Sequence, residues 1–234
     1  MRLRLMPPSA AALTLAAIAT LVGCGGGSSS SNPVASKSPT QVVADAKRAA
    51  DGAASVHVVG SVVNEGKPLT IDLELLAGKG GRGRITLEGL SIDLVRLARS
   101  VYIKGSEAFY SHIAGPAAAQ LLKGKWLKAP ENSGNFASLA SLTDLGKLID
   151  TTLASHGTLV LGSTSTVEGQ KAIEVKDTSQ GGVLYVASTG SPYPVEISKG
   201  GGRGGKIIFN RWNKPVSITA PANAININEL QRGH

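Results

Sequence analysis

The 234-residue chain is 42% hydrophobic but only 4% aromatic, and its formal net charge is +8 at pH 7. A single cysteine excludes a disulfide framework and a cysteine-based zinc cluster, so stability must come from packing. The length suits one well-cored domain or two small ones, and the absence of a composition break after residue 40 favours one.

The first elements concern export. Arg2 and Arg4 form a positive start, and Ala11 to Val22 is apolar over about a dozen residues, the length of a signal-peptide core and too short to span a bilayer. Leu21-Val22-Gly23-Cys24 then resembles a bacterial lipobox. It implies cleavage after residue 23 and acylation of Cys24, which would tether the protein to a membrane without crossing it. An ordinary secretory signal with an incidental cysteine is the alternative. It fits less well, because the cysteine falls where cleavage would expose it. Two or three acyl chains anchor stably where one holds only marginally. Arg2 and Arg4 leave with the signal, and the remaining positive balance suits an anionic lipid surface. Residues 24–38 are rich in Gly and Ser and read as a flexible tether.

The folded domain is expected over 39–228, with 229–234 as a tail. A helix is predicted from Pro39 to Asp51, with Thr40 as cap and Val42, Val43, Ala46, Ala49 and Ala50 on one face. From Ser55 the apolar period changes to two: Val56, Val58 and Val62, then Ile71, Leu73 and Leu75, then Ile92 and Leu94. Asn64–Pro68 and the glycine-rich Gly78–Gly83 are the intervening turns. Val101–Ile103 and Ala108–Tyr110 read as short strands, Pro116–Leu122 as a short helix and Lys125–Lys128 as strand-like. Leu142, Leu145, Leu148, Ile149 and Leu153 have helical spacing from Ser141 to about Ser155, with Thr143 a possible cap. Strands resume at Thr158–Glu168, Lys171–Thr178, Gly182–Ala187, Pro194–Ser198, Lys206–Asn210 and Val216–Ala220. The fold class is therefore α+β, a curled antiparallel sheet of about ten or eleven strands with about three helices on one side.

At this point the chain resembles the mycobacterial lipoproteins LppX, LprG, LprA and LprF. The likeness is carried by the lipobox and tether, by Ser55-Val56-His57-Val58 after the first helix, and above all by the end of the chain. There, Pro192-Tyr193-Pro194-Val195-Glu196-Ile197 precedes Ile208-Phe209-Asn210-Arg211-Trp212-Asn213-Lys214-Pro215-Val216 and Ala220-Pro221. The resemblance implies a LolA-like half-barrel whose helices cover an apolar cavity on the concave face. It also implies binding of acylated lipids or glycolipids, transfer across the envelope, a membrane lipid exporter as a further partner, and residence on the outer face of the cytoplasmic membrane. On that basis the cavity is lined by Val56, Val58, Ile71, Leu73, Leu75, Ile92, Leu94, Leu145, Leu148, Ile149, Leu153, Ile173, Val175, Val195 and Ile197. Without the resemblance the same positions simply form a dry core. An envelope sensor or docking module with a collapsed core is the second reading.

Catalytic signatures are weak. Gly200–Lys206 matches the first seven positions of a phosphate-binding loop, but Ile207 stands where Ser or Thr should meet the metal, and a strand follows instead of a helix. Gly78–Gly83 matches a dinucleotide fingerprint but also leads into a strand, so no helix N-terminus awaits a pyrophosphate. The four histidines lack ligand spacing, and no nucleophile elbow or paired carboxylates appear, so no enzyme, metal or cofactor is expected. Lys79, Arg82, Arg84, Lys199, Arg203 and Lys206 are candidate contacts to anionic headgroups; as plain surface charge they would keep the sheet rim soluble. Stacking aromatics are missing beside them, which argues against nucleic acid.

Overall fold

The structure is a computed structural model that describes residues 33–64, 66–134, 136–154, 156–200 and 204–232. The expected signal, Cys24, most of the tether and Arg203 lie outside the described residues. A 3-10 turn, Pro33–Ser36, leads into α1 (Pro39–Asp51). The Ser38 hydroxyl accepts from Gln41 N–H at 3.3 Å, and the Gln41 side chain accepts from Ser38 N–H at 3.0 Å. This capping box sits two residues before the expected cap at Thr40. Pro39 explains the difference: with no N–H and a fixed φ it suits the first helical position, which makes its predecessor the cap.

Five strands follow, β1 (Ser55–Asn64), β2 (Lys67–Leu76), β3 (Gly80–Leu87), β4 (Leu90–Leu97) and β5 (Ser100–Gly105). Then come α2 (Glu107–Leu122), β6 (Leu127–Pro130), α3 (Phe136–Leu142) and α4 (Leu145–Ala154). A second strand series completes most of the chain: β7 (Leu159–Val167), β8 (Gln170–Asp177), β9 (Gly182–Ala187), β10 (Pro194–Lys199) and β11 (Gly205–Asn210). The short β12 (Ile225–Asn226) and α5 (Ile227–Arg232) end it. All strands join one open sheet in the order β12-β6-β5-β4-β3-β2-β1-β11-β10-β9-β8-β7. Every pairing is antiparallel except β12 with β6. Two meanders thus meet at the β1/β11 seam, where Val58 faces Phe209 and Gly60 faces Ile207.

The α+β class with one large antiparallel sheet is as expected, with twelve strands and five α-helices among the described residues. Several elements differ. Ala108–Tyr110 is not a strand but the start of α2, whose cap Ser106 accepts from Phe109 N–H at 3.1 Å. Three apolar residues carry no period, so the cap decides. The helix expected from Ser141 to about Ser155 is α4, which starts later, at Leu145, and an unexpected short helix, α3, precedes it. The Thr143 hydroxyl donates to the Leu139 and Ala140 carbonyls at 2.9 and 3.1 Å and closes α3. Asp144 then accepts from Lys147 N–H at 3.1 Å and starts α4. Residues 216–220 form no strand, flanked as they are by Pro215 and Pro221.

The expected turn over Gly78–Gly83 is confined to its first residues, Gly78 and Lys79. Gly80, Gly81 and Gly83 lie in β3, with Gly81 opposite Leu75 and Gly83 opposite Leu73. A Cβ on Gly81 would come within 2.6 Å of Leu75 Cδ2 and 3.3 Å of the Thr143 Cβ. Bare backbone here lets the α3–α4 junction settle onto the sheet.

The main core lies between the sheet and the helices. It gathers Val42, Val43, Ala46 and Ala50 of α1, Leu145, Ile149 and Leu153 of α4, and the inward residues of both meanders. Helix α1 packs on α4 and on β7 to β10. Among the described residues, no helix is long and apolar enough to cross a membrane.

Candidate functional site

Alternation in the strands puts two chemically different faces on the sheet. The helix-covered face holds twelve of the fifteen expected apolar positions as buried members of one cluster: Val56, Val58, Ile71, Leu73, Leu75, Ile92, Leu94, Leu145, Ile149, Leu153, Ile173 and Val175. Leu148 and Ile197 pack against that cluster half-buried. Val195 does not join it. Pairing of β10 with β9 shifts register between Pro194 and Glu196, and this bulge sends Val195 into a separate small cluster with Ala172 and Ala187.

One slot of about 100 Å³ opens in the apolar layer. Its walls are Val43 of α1, Thr152 and Leu153 of α4, Leu159 of β7, Val175 of β8, Leu184 of β9 and Ile197 of β10. His156 and Asp177 also line it. The Asp177 carboxylate accepts from the backbone N–H groups of Gly157 and Gln180 at 2.8 Å and Ser179 at 2.9 Å, which holds it below the ordinary carboxylate value. Sequence reasoning missed Val43, Leu159 and Leu184 as slot residues. All three are apolar with the right periodicity, but only tertiary packing brings α1 and the second meander to one opening.

A larger hollow of about 1020 Å³ lies on the sheet's other face and is walled by charge. Arg82 pairs with Glu74 at 2.7 Å, Arg211 with Glu74 at 3.2 Å, Arg84 with Asp93 at 2.8 Å and Lys104 with Asp93 at 3.1 Å. Burial pushes the Asp93 carboxyl up, but the hydrogen bonds from Arg84 and Lys104 outweigh it and leave the group below its ordinary value. His57 faces this side, as its phase requires, with Nε2 2.8 Å from Asp72 Oδ1 and Nδ1 2.7 Å from Asn210 Oδ1. Both ring nitrogens are occupied, so neither is presented as a base to a substrate. This hollow is open to solvent and mixes paired charges with Val95 and Trp126, so it offers no continuous apolar channel for an acyl chain. The smaller slot has mostly aliphatic walls, but at its present size it does not take an acyl chain.

The expected headgroup contacts are dispersed. Arg82 and Arg84 are engaged by carboxylates in the polar hollow, and Lys206 bridges Glu168 and Glu196 at 2.9 Å each. Those two hydrogen bonds raise the Lys206 ammonium to about 12. Lys79 is exposed in the β2–β3 turn. Among the described residues, no three His, Cys, Asp or Glu side chains come together as metal ligands.

The carboxyls of Asp45, Asp93, Glu107 and Asp177 all lie below their ordinary values of 3.8 to 4.5. For depressed carboxyls, the stabilisation is present above the unfolded value and is lost as pH falls through the folded one. Thermal melts are therefore expected to be flat from about pH 7 to about pH 5 and to fall steeply below about pH 4. A midpoint that stays level to about pH 3 would contradict this assignment.

No family model and no curated protein matches the chain. Solved structures do, and two of them share much of its architecture. LprF from Mycobacterium bovis is 15% identical, with a TM-score of 0.56 over 79% of this chain and 97% of that one. The Mycobacterium tuberculosis lipoprotein LppX is 16% identical, with a TM-score of 0.51 over 77% of this chain and 99% of that one. Identity this low speaks to architecture alone, and in architecture the chain shares the fold of the mycobacterial lipoproteins LprF and LppX.

Proposed function

We propose that the chain is a membrane-anchored envelope lipoprotein that binds the acyl chains of a lipid or glycolipid between its sheet and helices α1 and α4. Cys24 carries the anchor, and the domain works at the outer face of the cytoplasmic membrane. The observation that carries this reading is the aliphatic slot, which runs into a core of Val, Leu and Ile. Such walls accept methylene groups at about 0.8 kcal/mol each. The slot is smaller than the roughly 150 Å³ cavity that admits a single benzene ring, so cargo must widen it by displacing α4. Cargo then passes to a partner such as a lipid exporter.

The tight closure also favours a second reading, a docking module whose core never opens. Native mass spectrometry of the mature, detergent-extracted chain separates the two. Non-covalent adducts with masses of di- or triacylated lipids after incubation with envelope lipid extract support the carrier. A mass without adducts, repeated with fresh extract, supports the docking module.

Ile197→Trp tests the location. Ile197 is half-buried, so an indole there fills the slot at a modest packing penalty of about 1–3 kcal/mol. Adduct abundance is expected to drop at least about tenfold while the circular dichroism spectrum is retained. Undiminished adducts on a folded Ile197→Trp chain would place the acyl chain elsewhere.

A further inference from the structure

Helix α2 is rich in alanine and larger apolar residues, yet it buries only Tyr110 and Ala119. Ile113 is 58% exposed and Leu121 73% exposed, the two most exposed large hydrophobic side chains among the described residues. The helix breaks at Gly115, whose φ of 83° is left-handed, and Pro116 follows immediately. Residues Lys123, Gly124, Lys125 and Trp126 come directly after its end. Lys123 pairs with Glu107 at 2.9 Å, whereas Lys125 has no ion pair among the described residues. Lys104 Nζ stands 5.0 Å over the Trp126 ring. Exposed aliphatic residues beside lysines and a tryptophan form the composition that settles at a bilayer interface.

We propose that α2 is a second membrane contact, placing Ile113 and Leu121 into the interface of an anionic bilayer while the exposed Lys123 and Lys125 meet its headgroups. This rests on the reading of Cys24 as a lipid anchor. The charge selects the occupant. Two copies of this chain meeting face to face would oppose lysine to lysine, whereas an anionic lipid surface attracts them. Reach is also limited: only the nine residues 24–32 lie between the expected anchor and the first described element, a span of at most about 30 Å, so the anchored domain stays close to the surface. The contact differs in place from the one expected from sequence, whose Arg82, Arg84 and Lys206 project from the strands of the sheet.

The test uses the full lipidated chain. Cys24 is its only cysteine, and an acylated sulfur takes no thiol label, so one introduced cysteine is labelled selectively. Leu121→Cys and Ile113→Cys carry a polarity-sensitive fluorophore, and Val160→Cys on β7, 40% exposed, is the control. The probe vesicles are phosphatidylcholine with about a third phosphatidylglycerol. Both α2 labels are expected to brighten severalfold and shift to the blue, the Val160 label to stay aqueous, and the response to weaken at high salt or without phosphatidylglycerol. Two α2 labels that remain aqueous on these vesicles would overturn the proposal. So would brightening that follows protein density and ignores phosphatidylglycerol, since that marks contact between copies. Label uptake by the unsubstituted chain would overturn the anchor beneath it. Acyl-chain adducts are measured separately, so loss of the carrier reading and loss of the α2 contact are told apart.

Discussion

Phe209→Ala should lower the unfolding free energy by about 3–5 kcal/mol, a large part of the 5–15 kcal/mol typical of a domain. Phe209 is almost completely buried and faces Val58 across the β1/β11 seam. Its ring lies 6.2 Å from that of Trp212, which stacks on Tyr193 at 4.6 Å and donates Nε1–H to the Pro194 carbonyl at 3.1 Å. This aromatic group closes the one strand pairing that joins the two meanders. The N-terminal meander supplies the bare glycine patch under α3 and α4, and the C-terminal one supplies most of the slot wall. Removing the ring leaves a cavity where the halves of the apolar layer meet. In urea the midpoint is expected to fall by about 1–2 M. A shift under about 0.3 M would show that the seam collapses around the gap and does not hold the halves together.

The strand faces were legible because a half-buried sheet imposes a period of two. Val56 and Val58, Ile71 to Leu75, and Ile92 and Leu94 each alternate with polar residues, and each lands on the buried side. The terminal Phe209 to Pro215 stretch pointed to the observed fold through resemblance, and no periodicity would have done so. What remained hidden depends on register. Arg82 and Arg84 look like free surface charge until β2 and β4 bring Glu74 and Asp93 beside them. Val195 has the right character for the core face, but a bulge one residue long sends it to the other side. The glycine run reads as a turn because its usual reason, positive φ, is local. Its actual reason at Gly81 is the approach of a helix junction about sixty residues later in the chain. One residue carried a signal that was passed over. Arg96 continues the alternation of Ile92 and Leu94, so its guanidinium belongs on the core side of β4.

That placement gives Arg96→Ala an expected effect on both stability and opening. Arg96 donates Nε–H to Glu131 Oε2 at 3.0 Å, faces Asp144 Oδ2 at 3.4 Å, and directs another N–H to the Thr143 carbonyl at 3.4 Å. It thereby ties β4 to the end of β6 and to the joint between α3 and α4. All three side chains are largely buried, so the charge-assisted bonds are worth about 1.5–3 kcal/mol together with the penalty of leaving Asp144 without its cation and Glu131 with only Arg99 at 3.8 Å. Lysine at the position reaches one acceptor at a time and is expected to restore only part of the loss. The consequence reaches the slot, because α4 begins at this joint and its Thr152 and Leu153 form the slot wall. In Arg96→Ala, amides of residues 148–153 should exchange at least about tenfold faster under native conditions, while those of β1 and β11 change only as much as global stability does. On the proposed carrier reading, acylated lipid should also load faster, since the helix proposed to move is less firmly held. If exchange rose equally in α4 and at the β1/β11 seam, Arg96 would be an ordinary stabilising contact, and the opening of the slot would have to be sought at α1.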